Sequence, residues 1–246
     1  MDSIFDVKIN MFDLDLDYIS MIEGKIRDGI SLSEDEVFKF LNYVVFRTRK
    51  VICDGFSKNI NEFDFRDTCN YAQAMLSYYF DDLGVLNNPV CTSNIFFNVI
   101  RHFFIVVYLL QDGKLVPYFV DPTYNQFFSE EKCDEKKFVI KNGIVRATPD
   151  PGYFVSFLDD KSKNEIIDFL KCGFHRLDYD FAKIYGDSFN NTQIGISEKE
   201  YDNLFVSGSS YFKFFLKFKN ELTKTREELY DLGLLLDIKK NVIKKV

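Results

Sequence analysis

Asp112-Gly113, set between two apolar runs, leaves this chain few ways to fold. Val99 to Leu110 is rich in β-branched and aromatic residues, and Leu115 to Val120 is its natural return strand. Gln111-Asp112-Gly113-Lys114 carries the Asp-Gly pair of a two-residue hairpin turn, which fixes the register of both strands. Pro117 in the return strand fits if its missing N–H faces away from that ladder. Centred on this turn, His102 lies about ten residues before it and Asp121 about eight after. The two ends then come close, within the drift that one bulge allows.

Helices flank this hairpin. Residues 1–50 read as largely helical, with Ser33-Glu34-Asp35-Glu36 as a capping box and Val37, Phe40, Leu41, Val44 and Val45 at helical spacing. Residues 51–66 carry Gly, Asn and Asp without a clear period and are expected to form a loop. A further helix starts at an N-cap on Asp67 or Thr68. Its apolar stripe is Ala72, Met75, Leu76, Tyr79, Phe80 and Leu83, and Gly84 stops it. A loop through Asn87-Asn88-Pro89 leads to the hairpin. Phe138 to Arg146, around Asn142-Gly143, predicts a second hairpin, and Pro149, Pro151 and Gly152 form a break. Beyond about Ser162 helices return, at 165–171, 197–205 and 211–236.

The expected fold class is α+β: a cysteine-bearing helix packed on a small antiparallel sheet, with helices added at both ends. The expected division is 1–150 for the helical N-terminal segment and the helix-and-sheet core, and 151–246 for a mainly helical region packed on that core.

With 246 residues, 46% of them hydrophobic, the chain can bury a substantial core. A net charge of −7 disfavours nucleic acid, whose phosphates call for a Lys/Arg surplus. The lysines at 239, 240, 244 and 245 read as a solvated tail. No apolar stretch reaches the length of a membrane span. The start, MDSIFDVKINMFDLD, has no basic and apolar leader, so a cytoplasmic protein is expected, with export by a route without a cleaved signal left open. The run Tyr211 to Phe218 interleaves aromatics with lysines, and a core-packed helix is expected there rather than a membrane-facing one.

The five cysteines, Cys53, Cys69, Cys91, Cys133 and Cys172, form no CxxC pair, and only His102 and His175 accompany them. No metal site, cofactor or disulfide framework is expected. The question becomes whether one thiol is a nucleophile. A helix N-terminus favours the thiolate, and Cys69 falls in the first turn of its helix. A histidine on a rigid strand can pair with it and later protonate a leaving group, and His102 begins the apolar strand. A third group should orient the imidazole. Asp121 ends the partner strand, just before Pro122.

Three segments, TCNYAQAMLSYYFDDLG, RHFFIVVYL and YFVDPTYNQFF, together resemble the Cys-His-Asp core of the transglutaminase-like branch of papain-fold enzymes. That group includes transglutaminases, bacterial glutamine deamidases, peptidases and some peptide-maturation proteases. The resemblance spans roughly residues 65 to 128, about a quarter of the chain. It implies Cys69 as nucleophile, His102 as general base and acid, and Asp121 as orienting carboxylate. It further implies a protein or peptide substrate, attacked at a Gln side chain or a peptide bond through a Cys69 thioester.

The approach Phe65-Arg66-Asp67-Thr68-Cys69 lacks the Arg-Gly-Gly-x-Cys of arylamine N-acetyltransferases, which share the triad order. Animal-type transglutaminases place a Trp after the nucleophile, and this chain has none. Deamidation, proteolysis and crosslinking stay open as outcomes. An oxyanion hole would use the Cys69 backbone N–H and one further donor, with Asn59, Asn61 and Gln73 as candidates.

Rival thiols have weaker settings. Cys53 precedes a Gly turn without opening a helix, Cys172 and His175 flank a capping Gly, and Cys91 and Cys133 have no partner in the pattern. Two alternatives of other kinds remain: a catalytically silent interaction module on the same fold, and an acetyl-CoA-dependent acetyltransferase.

Overall fold

A computed structural model describes residues 15–60, 65, 67–91, 102–127, 139–141, 144–146, 159–182, 184 and 222–235. The expected helix at 197–205, the aromatic run 211–218, the break at 149–152, Asn61, Cys133 and the side chain of Cys91 lie outside them.

Helices α1 (Leu16–Arg27), α2 (Glu34–Gly55) and α3 (Cys69–Asp82) precede the strands β1 (Asn87–Cys91), β2 (Phe103–Gln111) and β3 (Lys114–Val120). A 3-10 turn (Tyr124–Phe127), the short pair β4 (Val139–Lys141) and β5 (Ile144–Arg146), helix α4 (Asp160–Cys172) and strand β6 (Phe174–Arg176) follow. The main sheet is antiparallel, in the order β1-β2-β3-β6. Mixed helix and strand around a small antiparallel sheet is the α+β class expected from the sequence.

The hairpin register is unbroken, from Gln111 opposite Lys114 to Ile105 opposite Val120. Asp112 and Gly113 take φ of 47° and 74°, both positive as a type I′ turn requires. Pro117 keeps its place because its carbonyl accepts from Leu177 N at 2.9 Å on the β6 side. A residue's N and C=O point to the same side of a strand, so its missing N–H costs the β2–β3 ladder nothing.

One face of the sheet, with Ile105, Val107, Leu109, Tyr118, Val120 and Phe174, packs on the stripes of α2 and α3 in the main core. The opposite face carries Phe104 and Phe119, stacked at 4.3 Å, and is closed by Phe169 of α4 and by Phe181. All six expected stripe residues of α3 are buried, and Gly84 follows with φ of 73°. Ser33 forms the full capping box with Glu36. The helical stretch at 222–231 also belongs to the assembly: Leu229 and Leu235 join the main core, and Arg226 reaches Ser77 and Asp81 on α3.

Three expectations need correction. Residues 51–55, expected in a loop, extend α2, because Val51, Ile52 and Cys53 are buried against the core and tertiary packing outweighs the local lack of period. Asn87-Asn88-Pro89, expected as a loop, lies in edge strand β1, where a proline is tolerated. Residues 174–176, with no strand expected, form β6 and complete the sheet after the Gly173 cap, at φ of 72°. The second expected hairpin is present as β4 paired with β5.

Candidate functional site

The approach to Cys69 is a tight backbone turn. Phe65 and Asp67 both sit in the left-handed region, at φ of 53° and 59°. For side-chain-bearing residues such conformations cost on the order of 1–3 kcal/mol each and persist only where the surroundings enforce them. Here Phe65 is fully buried, and its carbonyl accepts from Thr68 Oγ1 at 2.6 Å and from Thr68 N at 3.3 Å. Thr68 occupies the N-cap position of α3, yet its hydroxyl is turned to Phe65 and makes no cap hydrogen bond. The first N–H groups of α3 are thus left uncapped by that side chain, with Cys69 as the first helical residue, 7% exposed.

His102 immediately precedes β2 and Asp121 immediately follows β3. Continuing the register, Asp121 falls opposite Phe104, two residues beyond His102, which makes the two groups diagonal neighbours on one face. No bulge is involved. His102 Nε2–H donates to Asp121 Oδ2 at 2.5 Å, and both side chains are fully buried. The other carboxylate oxygen, Oδ1, accepts from Thr123 N and Thr123 Oγ1, each at 3.1 Å. The Asp121 backbone N donates to Gly173 O at 2.8 Å. The carboxylate is therefore held at both oxygens and cannot swing away from the ring.

Cys69 lies close enough to His102 for its thiol to act on the imidazole. Asp121 takes Nε2, which leaves Nδ1 as the nitrogen not engaged by the carboxylate. Burial alone would push the imidazole down. The Asp121 charge and hydrogen bond, followed by those of Cys69, outweigh burial and hold it up at about 9. The sequence-predicted Cys69, His102 and Asp121 are thus brought together on the start of a helix and two strand ends.

Residues that the sequence reading did not single out complete the site. Arg49 of α2 is fully buried and spans two segments: Nε donates to Pro122 O at 2.8 Å, Nη1 to Lys171 O at 2.7 Å and Nη2 to Leu170 O at 3.0 Å. It ties the turn after Asp121 to the carbonyl end of α4, where a helix dipole favours a cation. Burial pushes the guanidinium down to about 10 and the Asp121 charge works against that, so it stays charged at neutral pH. Its signal in the sequence is an arginine in line with Leu41, Val45 and Ile52 on the apolar stripe of α2. Gln126, on the 3-10 turn, places Nε2 at 3.1 Å from His102 Nδ1.

Among the oxyanion candidates, Gln73 is committed elsewhere: its Nε2 donates to Val90 O at 2.9 Å and to Phe104 O at 2.7 Å, pinning α3 to the β1–β2 edge. Both amide hydrogens are used, which removes it as an oxyanion donor. Asn59 is exposed after α2. The rival thiols are placed differently from Cys69. Cys53 lies in the last turn of α2, with its thiol pushed up to about 11 chiefly by burial, and burial also raises Cys172. His175 stacks on Phe181 with ring centroids 3.9 Å apart, and its Nδ1 faces Arg176 O.

Among the described residues no group of three or more His, Cys, Asp or Glu side chains could hold a metal ion, and no helix is long and apolar enough to cross a membrane. No family model matches the sequence, and no curated protein or solved structure matches it.

Proposed function

We propose that the protein is a cysteine-dependent acyl-transfer enzyme on a transglutaminase-like, papain-type core, acting on an amide of a protein or peptide. The observation that carries this reading is the buried pair itself: one imidazole bonded to Asp121 through Nε2, with Cys69 close by at the start of a helix. A lone buried cysteine is ordinarily structural, but this one starts a helix and lies close to an oriented histidine.

The chemistry follows from these positions. With His102 held protonated at neutral pH, the Cys69 sulfur attacks the amide carbonyl carbon as a thiolate. The C–N bond breaks as Nδ1 gives its proton to the departing nitrogen, leaving a thioester on Cys69. Water attacks next, giving its proton to Nδ1, and the thiol is expelled with that proton. The products are a carboxylic acid and ammonia from a Gln side chain, or two peptides from a peptide bond. An amine in place of water gives a crosslink. Asp121 stays ionised throughout and keeps the ring in register.

The test offers Gln-containing peptides to the wild-type protein and to Cys69→Ala. Mass spectrometry then follows conversion of Gln to Glu, peptide cleavage, or incorporation of a primary amine. One of these reactions with the wild type, absent from Cys69→Ala, supports the proposal; a Cys69→Ala protein with full activity refutes it. The burial of Cys69, at 7% exposed, favours a second reading, a catalytically silent interaction module that retains the relay as core packing. An inert Cys69 thiol would favour that module.

A further inference from the structure

Strand β6 ends the main sheet on one side, and only its inner edge is paired. Asp121 N donates to Gly173 O at 2.8 Å, and Leu177 N donates to Pro117 O at 2.9 Å. A residue's N and C=O point to the same side of a strand and successive residues alternate, so Gly173, His175 and Leu177 face β3. Phe174 and Arg176 therefore turn their N–H and C=O groups outwards, where no strand pairs among the described residues. The Arg176 carbonyl is capped locally, since His175 Nδ1–H donates to it at 2.6 Å. Phe174 N–H, Phe174 C=O and Arg176 N–H are left on the open edge, the pattern that an extended backbone recognises.

A cavity of about 220 Å³ opens beside this edge, between the first turns of α2 and the end of α4. Its walls are largely apolar: Val37 and Phe38 of α2, Phe169 of α4, and Phe174. Phe38 is 43% exposed, and its ring meets that of Phe174 edge-on at 5.6 Å. Clefts for drug-sized ligands hold about 300–1,000 Å³, so this smaller one suits a single large side chain. Arg176 and Glu34 both line it and both act on Tyr118 in its wall. Arg176 is exposed and forms no ion pair among the described residues. Glu34 stands on α2, whereas Arg176 stands on the strand itself, so the charge met directly across the edge is positive.

We propose that β6 and this cavity bind an extended segment of a partner protein as an added antiparallel strand, with a large apolar residue opposite Phe174 and an acidic residue opposite Arg176. Antiparallel pairing, used throughout this sheet, puts the acid two positions before the apolar residue, and the period of two keeps both on the α2 face. The apolar side chain fills the cavity, and the acid meets a directly opposed guanidinium. The recognised sequence is an acid, any residue, then a large apolar residue. This site stands whether or not Cys69 reacts.

The probe is the fluorescein-labelled peptide Thr-Thr-Glu-Thr-Phe-Thr-Thr amide, titrated into the full chain and followed by fluorescence anisotropy. Methylating the backbone nitrogen of its Phe removes the N–H that would donate to Phe174 O, and should weaken binding about 3- to 10-fold. Methylating the Thr between Glu and Phe, whose N–H points away from the edge, should change it by less than about 2-fold. A peptide with Lys in place of Glu should bind the wild type at least about 5-fold more weakly, and Arg176→Glu should reverse that preference. No saturation at about 1 mM peptide would overturn the proposal. Equal effects of the two methylations would overturn it too, since they would reduce the contact to burial of a ring, as would a charge preference that Arg176→Glu leaves unchanged. A second copy of the chain is the competing occupant. Sedimentation showing a wild-type dimer that Arg176→Glu dissolves would assign the edge to self-pairing and overturn the partner reading.

Discussion

Replacing Arg49 by Met removes a buried cation that holds three carbonyls, and its cost can be worked from their surroundings. The Pro122 and Leu170 carbonyls are reached by buried hydrogen bonds, and the Lys171 carbonyl by a partly buried one that water can take over. Each buried acceptor left unmade costs about 1–3 kcal/mol, so the two together lose about 2–6 kcal/mol. Release of the guanidinium from its desolvated site offsets part of that loss. Against the offset, the fully buried Asp121 carboxylate loses a nearby positive charge. A net loss of about 3–5 kcal/mol is expected, the range found when one member of a buried charged set is removed. Arg49→Lys should recover less than half of it, because an ammonium has no planar fork to span the turn at Pro122 and the end of α4 at once. The assay is urea unfolding followed by circular dichroism, with a lower midpoint at unchanged slope. A loss below about 1 kcal/mol at unchanged slope would refute the idea that Arg49 braces the Asp121 turn.

Other perturbations follow from the same geometry. At Gly173 a Cβ would sit 2.7 Å from Val45 Cγ1 and 3.1 Å from Arg49 Nη2, with φ of 72°. Gly173→Ala should therefore destabilise by about 2–4 kcal/mol in urea, from overpacking and left-handed strain together; a change under about 0.5 kcal/mol would contradict the close packing. For pH, the folded His102 value of about 9 lies above the ordinary value of about 6.5, so folding favours its protonated form. Its contribution to stability is fully present below about pH 6.5 and is lost as pH rises through about 9, on the order of a few kcal/mol. The urea midpoint should fall across that window in the wild type and less in His102→Asn, whereas a wild-type midpoint that is flat or rises would contradict the assignment.

The parts of this molecule that could be read in the sequence are those set by local chemistry. Asp112-Gly113 dictates a turn and hence a register, and the register carries His102 and Asp121 to within a diagonal of each other. Ser33 and Glu36 mark the start of α2, and the stripe from Ala72 to Leu83 gives the buried side of α3. Elements whose cause is tertiary could not be read the same way. Asn87-Asn88-Pro89 has the composition of a turn and becomes a strand only because β2 offers an edge. Val51 to Cys53 lack a helical period of their own and stay helical because the core covers them. Arg49 could have been noticed as a charge on an apolar stripe, but its three carbonyl partners lie 73 to 122 residues away. Gln126 has no local signal, since the ring it faces across the hairpin lies 24 residues away in the sequence.

The central claim, that Cys69 is activated by His102, is tested most directly by measuring the alkylation rate of every cysteine with iodoacetamide across about pH 5 to 9. Wild-type protein is compared with His102→Ala, and peptide mass spectrometry resolves each site. The account predicts that Cys69 reacts faster than Cys53 and Cys172, whose thiols burial makes harder to ionise, and that His102→Ala abolishes the advantage. A Cys69 that reacts no faster than those two, or whose rate is unchanged by His102→Ala, would contradict it.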